Sequence, residues 1–123
     1  MELNEYQKRA MSTCMPSCKN YCYMMDNLVA EVGEFAGKVA KAKRKKEIRF
    51  NEEGVIIFNP DVPVERLVEL NDELKKEAGD IFWQLSGLCH VFGWSLEDVA
   101  VGNLDKLADR KERGVIDGEG DNR

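Results

Sequence analysis

Proline is scarce and glycine modest, 3 and 10 of 123 residues, which excludes collagen-like, proline-rich and loop-rich scaffolds. No apolar run approaches the ~20 residues needed to span a bilayer, so no membrane partner is expected. The opening Met1-Glu2-Leu3-Asn4-Glu5 carries neither the basic stretch nor the apolar run of a secretory signal, and a cytoplasmic protein is expected. Basic residues fall short of acidic ones, 18 against 23, for a net charge of −5. That balance gives no support to nucleic-acid binding, which needs a net basic face, and no nucleic-acid partner is expected. Internal repeats and low-complexity linkers are absent too. What remains is a chain 43% hydrophobic and 33% charged, the composition of a soluble globular protein with room for one domain, expected over residues 1–123.

Histidine occurs once, as His90, and is expected to be a structural residue near a helix end. The cysteines stand at 14, 18, 22 and 89. With no secretory context, an even count does not by itself argue for disulfides. Cys14, Cys18 and Cys22 would align on a continuous helix, but Pro16 breaks it, and the spacing fits neither a zinc pair nor an iron–sulfur run. Ordinary reduced thiols are the expectation.

The periodicity reads as mostly helical. The spacing predicts a short helix from Leu3 to Thr13, stopped near Pro16, and a long one from Lys19 to Lys45. The second ends in Lys41, Lys43, Arg44, Lys45 and Lys46, cations that complement the C-terminal end of the helix dipole. The period then changes: Ile48-Arg49-Phe50 and Val55-Ile56-Ile57-Phe58 flank Asn51-Glu52-Glu53-Gly54 and read as a short β-hairpin. Asn59-Pro60-Asp61-Val62-Pro63 opens a third helix from Val64 to Phe92. Gly93-Trp94 makes a turn, Ser95 caps a fourth helix to about Glu112, and Gly114 ends it. The expected fold is therefore all-α, an antiparallel bundle of about four helices with a hairpin inserted near residues 48–58.

Placing residues ~100° apart puts Glu31, Glu34 and Lys38 in a narrow strip along the edge of the second helix's apolar arc. Glu73, Glu77, Asp80 and Gln84 line the same edge in the third helix. Taken singly, a Glu-x-x-acid pair is most often a solvated face. Two of them at the core boundary of two long helices, accompanied by Gly33, Gly37, Ala78 and Gly79, carry more weight, and Gly79 inside a helix reads as a point of close packing. Carboxylates at i and i+3 repel, and apolar surroundings make their ionisation harder still. A divalent cation reverses that penalty. Four converging carboxylates are hard oxygen ligands suited to Mg²⁺, with Mn²⁺ as a substitute, whereas zinc or a ferritin-like di-iron site would call for histidine. On the fourth helix Asn103, Lys106 and Arg110 lie at the edge of an arc of Leu96, Ala100, Leu104 and Leu107, and beside such a cluster they form a candidate phosphate clamp.

These residues resemble the MazG-like all-α nucleoside triphosphate pyrophosphohydrolases. Glu31-Val32-Gly33-Glu34 and Glu77-Ala78-Gly79-Asp80 match that family's Glu-x-x-Glu and Glu-x-x-Asp signature. Gly79-Asp80-Ile81-Phe82-Trp83-Gln84-Leu85, Asn103-Leu104-Asp105-Lys106-Leu107 with Asp109-Arg110, and the closing Gly120-Asp121-Asn122-Arg123 extend the likeness along most of the chain. The Cys14/Cys18/Cys22 segment matches no feature of the family.

The resemblance implies Mg²⁺-dependent hydrolysis of a (deoxy)nucleoside triphosphate to the monophosphate and pyrophosphate, in a homodimer or homotetramer. Glu31, Glu34, Glu77 and Asp80 would be the catalytic metal ligands; Lys38, Asn103, Lys106 and Arg110 would bind the substrate. Two other readings stand beside it: a phosphoribosyl-ATP pyrophosphohydrolase, and a non-catalytic helical partner whose acids only solvate it.

Overall fold

The computed structural model describes residues 1–123. Four helices, α1 (Leu3–Met11), α2 (Tyr21–Arg44), α3 (Val64–Val91) and α4 (Leu96–Arg113), are joined by a 3-10 turn at Pro16–Cys18 and by strands β1 (Ile48–Phe50) and β2 (Ile56–Phe58). The architecture is all-α with one two-stranded antiparallel sheet, as the periodicity predicts. No helix is long and apolar enough to cross a membrane. The chain divides into two compact units, Met1–Lys19 with Ser86–Arg123, and Asn20–Leu85.

In the Asn20–Leu85 unit, the Asn20 side chain caps α2 by accepting the Tyr23 amide at 2.8 Å, so the helix starts at Tyr21 rather than Lys19. Ala42 of α2, Ile48 of β1 and Leu70 of α3 are buried together, with Val39 and Leu74 packed against them. Positions rising along α2 meet positions falling along α3: Ala42 packs with Leu70, while Lys38 pairs with Glu77. The two helices therefore run antiparallel, and the hairpin closes one end of their contact. In the hairpin, Ile48, Arg49 and Phe50 face Phe58, Ile57 and Ile56 respectively. The Asn51 side chain accepts the Glu53 and Val55 amides, both at 2.9 Å, and the left-handed backbone of Gly54 (φ 77°) completes the turn.

A hairpin this short does not stand alone. Glu47, buried at its base, receives the Arg66 guanidinium of α3 at 2.6 and 3.3 Å, and Arg66 also reaches Glu73 at 3.3 Å. The hydrogen bond from Arg66 holds the Glu47 carboxyl below its ordinary range, with burial opposing.

In the other unit, α1 packs against α4. Gln7 organises the packing. Its amide donates to the carbonyls of Ser86 (3.3 Å) and Trp94 (3.0 Å), and its oxygen accepts the Leu96 amide at 2.9 Å. Ser95 caps α4 by accepting the Asp98 amide at 3.0 Å. Gly114, with φ 72°, ends the helix, and the Val115 amide returns to the Arg110 carbonyl at 2.9 Å.

Three further expectations are corrected. Helix α1 stops at Met11, not Thr13, because the Ser12 and Thr13 hydroxyls bond back to the Arg9 and Ala10 carbonyls and close a turn. Cys14 and Cys18 form a disulfide, not two free thiols: the turn at Pro16 folds one back towards the other, with α-carbons 6.0 Å apart, leaving Cys22 and Cys89 free. A β-carbon at Gly79, Gly33 or Gly37 would meet nothing within 4 Å, so these glycines mark open space and not close packing within the chain. The apolar arc of α4, for its part, is only part-covered, since Leu104 is 64% exposed.

Two outcomes follow for stability. A group whose carboxyl is depressed in the fold stabilises above its ordinary range near 4.5 and ceases to do so as pH falls through the lowered value. Glu47→Gln should therefore lower the urea midpoint at pH 7, and its deficit against the parent protein should narrow steadily below about pH 4.5, checked by denaturation at a series of pH values. Gln7→Leu strands the Leu96 amide and two carbonyls, and should cost about 2 kcal/mol by the same assay.

Candidate active site

The antiparallel contact of α2 and α3 decides what the acidic strips face. Glu31 and Glu34 stand one turn apart on α2, and Glu77 approaches them from α3. One carboxylate oxygen from each of the three lies within 4.8 Å of the others. Asp80, one turn along α3 from Glu77, is exposed and outside this trio, yet its charge bears on Glu31. The structure thus gathers three of the four predicted acids and keeps the fourth within electrostatic reach.

The cluster is under electrostatic stress. Burial first, then the charges of Glu34 and Asp80, a hydrogen bond with Glu34 and the charge of Glu77 all push the Glu31 carboxyl upward. Glu31 Oε2 and Glu77 Oε2 are buried with no hydrogen-bond partner. A carboxylate oxygen in that state is costly unless a cation or a proton satisfies it. The one cation that touches the cluster is Lys38, whose Nζ lies 3.6 Å from Glu77 Oε1. Oxygen donors alone, without nitrogen or sulfur, select a hard divalent ion such as Mg²⁺. The residues present therefore fit that ion.

Lys38 also lines a cleft of about 270 Å³ with Lys41, Lys45, Arg66 and Glu73. Lys38, Lys41 and Lys45 recur at the helical spacing on one face of α2, so a line of cations leads away from the acids. Glu73, which the periodicity places on the same edge as Glu77, is engaged by Arg66 instead.

The predicted phosphate clamp on α4 is differently occupied. Lys106 Nζ and Arg110 Nη2 reach Asp121 of the tail at 3.1 and 3.0 Å, and together they hold its carboxyl below the ordinary range. Arg110 is buried, and its Nε has no partner. Asn103 is exposed. The tail keeps its shape through Arg123, which donates to the carbonyls of Val115, Ile116 and Gly120. Asp121 as a counter-ion is the feature that periodicity missed. Its only sequence signal was the closing Gly-Asp-Asn-Arg, which lies outside any helix and has no period to read.

The MazG nucleotide pyrophosphohydrolase domain family matches residues 20–115. The gene 37 protein of Mycobacterium phage L5 is 35% identical over an alignment covering all of both chains. The uncharacterized protein YvdC of Bacillus subtilis (strain 168) is 34% identical over 79 residues, 64% of this chain and 68% of its own. No solved structure matches.

Removing one charge from the cluster relieves its repulsion but weakens its hold on a cation. With EDTA present, Glu34→Gln should raise the melting temperature by about 1–3 °C. With saturating Mg²⁺ the order should reverse, because the parent protein gains more from binding. Differential scanning calorimetry in the two buffers checks both signs.

Proposed function

Because the chain belongs to the MazG nucleotide pyrophosphohydrolase domain family, we propose that it hydrolyses (deoxy)nucleoside triphosphates to the monophosphate and pyrophosphate, with Mg²⁺ held by Glu31, Glu34, Glu77 and Asp80. The observation that carries this reading is the convergence of three carboxylates from two helices with two buried oxygens left unpartnered. Residues 1–123 act as one functional domain in this reading, and the family match runs through both compact units.

The chemistry divides between acids and bases of the chain. A bound Mg²⁺, or Mn²⁺ in its place, supplies the positive charge that lets a polyphosphate approach a carboxylate cluster in a protein of net charge −5. Lys38 lies between the acids and the cationic cleft, where Lys41 and Lys45 can meet phosphoryl oxygens. One carboxylate of this set orients a water and accepts its proton as the oxygen attacks phosphorus. The anhydride between the α- and β-phosphorus breaks, pyrophosphate departs, and the monophosphate keeps the sugar and base. Lys106 and Arg110 join as substrate ligands if a phosphate displaces Asp121, and Asn103 supplies a neutral donor from the same helix.

The assembly proposed is a homodimer or homotetramer in the cytoplasm. Its support is the apolar surface left open on Val32, Val68, Leu85 and Leu104.

Pyrophosphate release from a panel of canonical and modified triphosphates, with phosphoribosyl-ATP included, tests the proposal. Release should require Mg²⁺ or Mn²⁺ and stop on addition of EDTA. Glu34→Gln and Asp80→Asn should each lower kcat by at least 100-fold while retaining the helical circular dichroism. Intact triphosphates with both metals, or full activity in both variants, would remove the reading; cleavage of phosphoribosyl-ATP alone would replace the substrate.

A further inference from the structure

Five residues adopt the left-handed backbone conformation, and four of them are glycines: Gly54, Gly93, Gly114 and Gly120. The fifth is Lys46, with φ 58°. Glycine adopts that conformation freely, whereas a residue with a β-carbon does so at a cost. Lys46 sits where α2 ends and the hairpin begins, the position helices most often give to glycine. Its backbone is firmly held: its carbonyl accepts from the Asn59 side-chain Nδ2 at 2.8 Å, the Glu47 backbone amide returns to the Ala42 carbonyl at 2.9 Å, and the Asn59 backbone amide reaches the Glu47 carbonyl at 2.9 Å. The turn therefore fixes the backbone but gives no reason for the ammonium side chain.

The surroundings supply a reason. Lys46, Lys43 and Arg49 line a cavity of about 420 Å³ whose other walls include Ile48, Ile57 and Phe58. That volume is in the range of small-molecule sites and is too small for a protein partner to enter as a folded surface. No acid lines it. None of the eight ion pairs of the protein involves these three cations, although acidic residues outnumber basic ones by 23 to 18. Lys43 instead lies over the Phe50 ring, 5.6 Å from its centre. Three like charges left together beside apolar walls repel one another until an anion joins them. The site is separate from the acidic cluster: Lys43 follows Glu34 by nine residues, about 13 Å along the helix axis.

We propose that this cavity at the base of the hairpin is a second anion site that binds a nucleotide, the phosphate on Lys43, Lys46 and Arg49 and the flat base against Ile57 and Phe58. Phosphate accounts for the cations, and a flat, largely apolar body accounts for the walls, which free phosphate would leave unused. The site binds without Mg²⁺, since it holds no carboxylate. It is independent of the pyrophosphohydrolase reading.

Titration of the ¹⁵N-labelled full chain with adenosine 5′-monophosphate in EDTA tests this. Amide shifts should saturate at Lys46, Ile48, Arg49 and Ile57, and inorganic phosphate alone should move the same amides at least tenfold more weakly. Lys46→Gly should weaken the nucleotide at least fivefold while raising the melting temperature by about 3 °C, because glycine relieves the left-handed position. Arg49→Ala should weaken it similarly with the fold unchanged, and Glu34→Gln should leave the affinity as it was. Both cavity variants should release pyrophosphate from triphosphates at the parent rate, which separates this site from the acidic one. The proposal is overturned if the shifts centre on Glu31, Glu34 and Glu77, if the two cavity variants bind the nucleotide like the parent, or if only a single-stranded oligonucleotide binds there.

Discussion

Repulsion among carboxylates is the constraint on which the rest of the Asn20–Leu85 unit turns. Glu31 and Glu34 would cost little on an isolated, solvated helix. The antiparallel contact of α2 and α3 brings Glu77 against them and partly buries two of the three, so the cost becomes one the fold must compensate. Lys38 compensates part of it through Glu77. The unpartnered oxygens of Glu31 and Glu77 mark what is left over. A site that carries uncompensated negative charge in its resting form is poised for a cation, and through the cation for an anionic substrate.

Positive charge is distributed to match. The end of α2 and the turn after it carry more cations than a helix dipole needs, and they divide between two places. Lys38, Lys41 and Lys45 face the cleft beside the acids; Lys43 and Lys46 line the cavity beneath the hairpin. Arg66 is the structural member of the set, joining Glu47 at the hairpin base to Glu73 on α3. With Ile48 buried against Ala42 and Leu70, that ion pair is what lets six strand residues persist as a sheet.

The Met1–Lys19 and Ser86–Arg123 unit shows a different economy. Gln7 satisfies three backbone groups by itself, so a polar residue does the work of a core side chain. On α4 the Lys106 and Arg110 pair takes its counter-ion from the tail, where Arg123 shapes the turn that presents Asp121. The same cations that suit a phosphate thus already hold a carboxylate, a group of like charge and similar oxygen geometry.

Much of this was legible in the chain before any coordinates. Helix periods, the breaks at Pro16 and Gly114, the Ser95 cap and the hairpin around Asn51–Gly54 are local signals, set by backbone sterics within a few residues, and the elements follow them to within two residues or so. The same periodicity put Glu31 with Glu34 and Glu77 with Asp80 on core-edge strips. Periodicity has no means of saying which partner a charge finds across space. Only the tertiary packing decided that Glu77 joins the acids of α2 while Glu73 goes to Arg66, that Asp121 neutralises Lys106 and Arg110, and that Cys14 closes on Cys18. Nor could a one-dimensional pattern show that Gly79 borders open space, since packing distance is a property of two segments at once. The chain dictates which face each residue occupies because that follows from its own helix; which face meets which is settled by burial and charge summed over the whole fold.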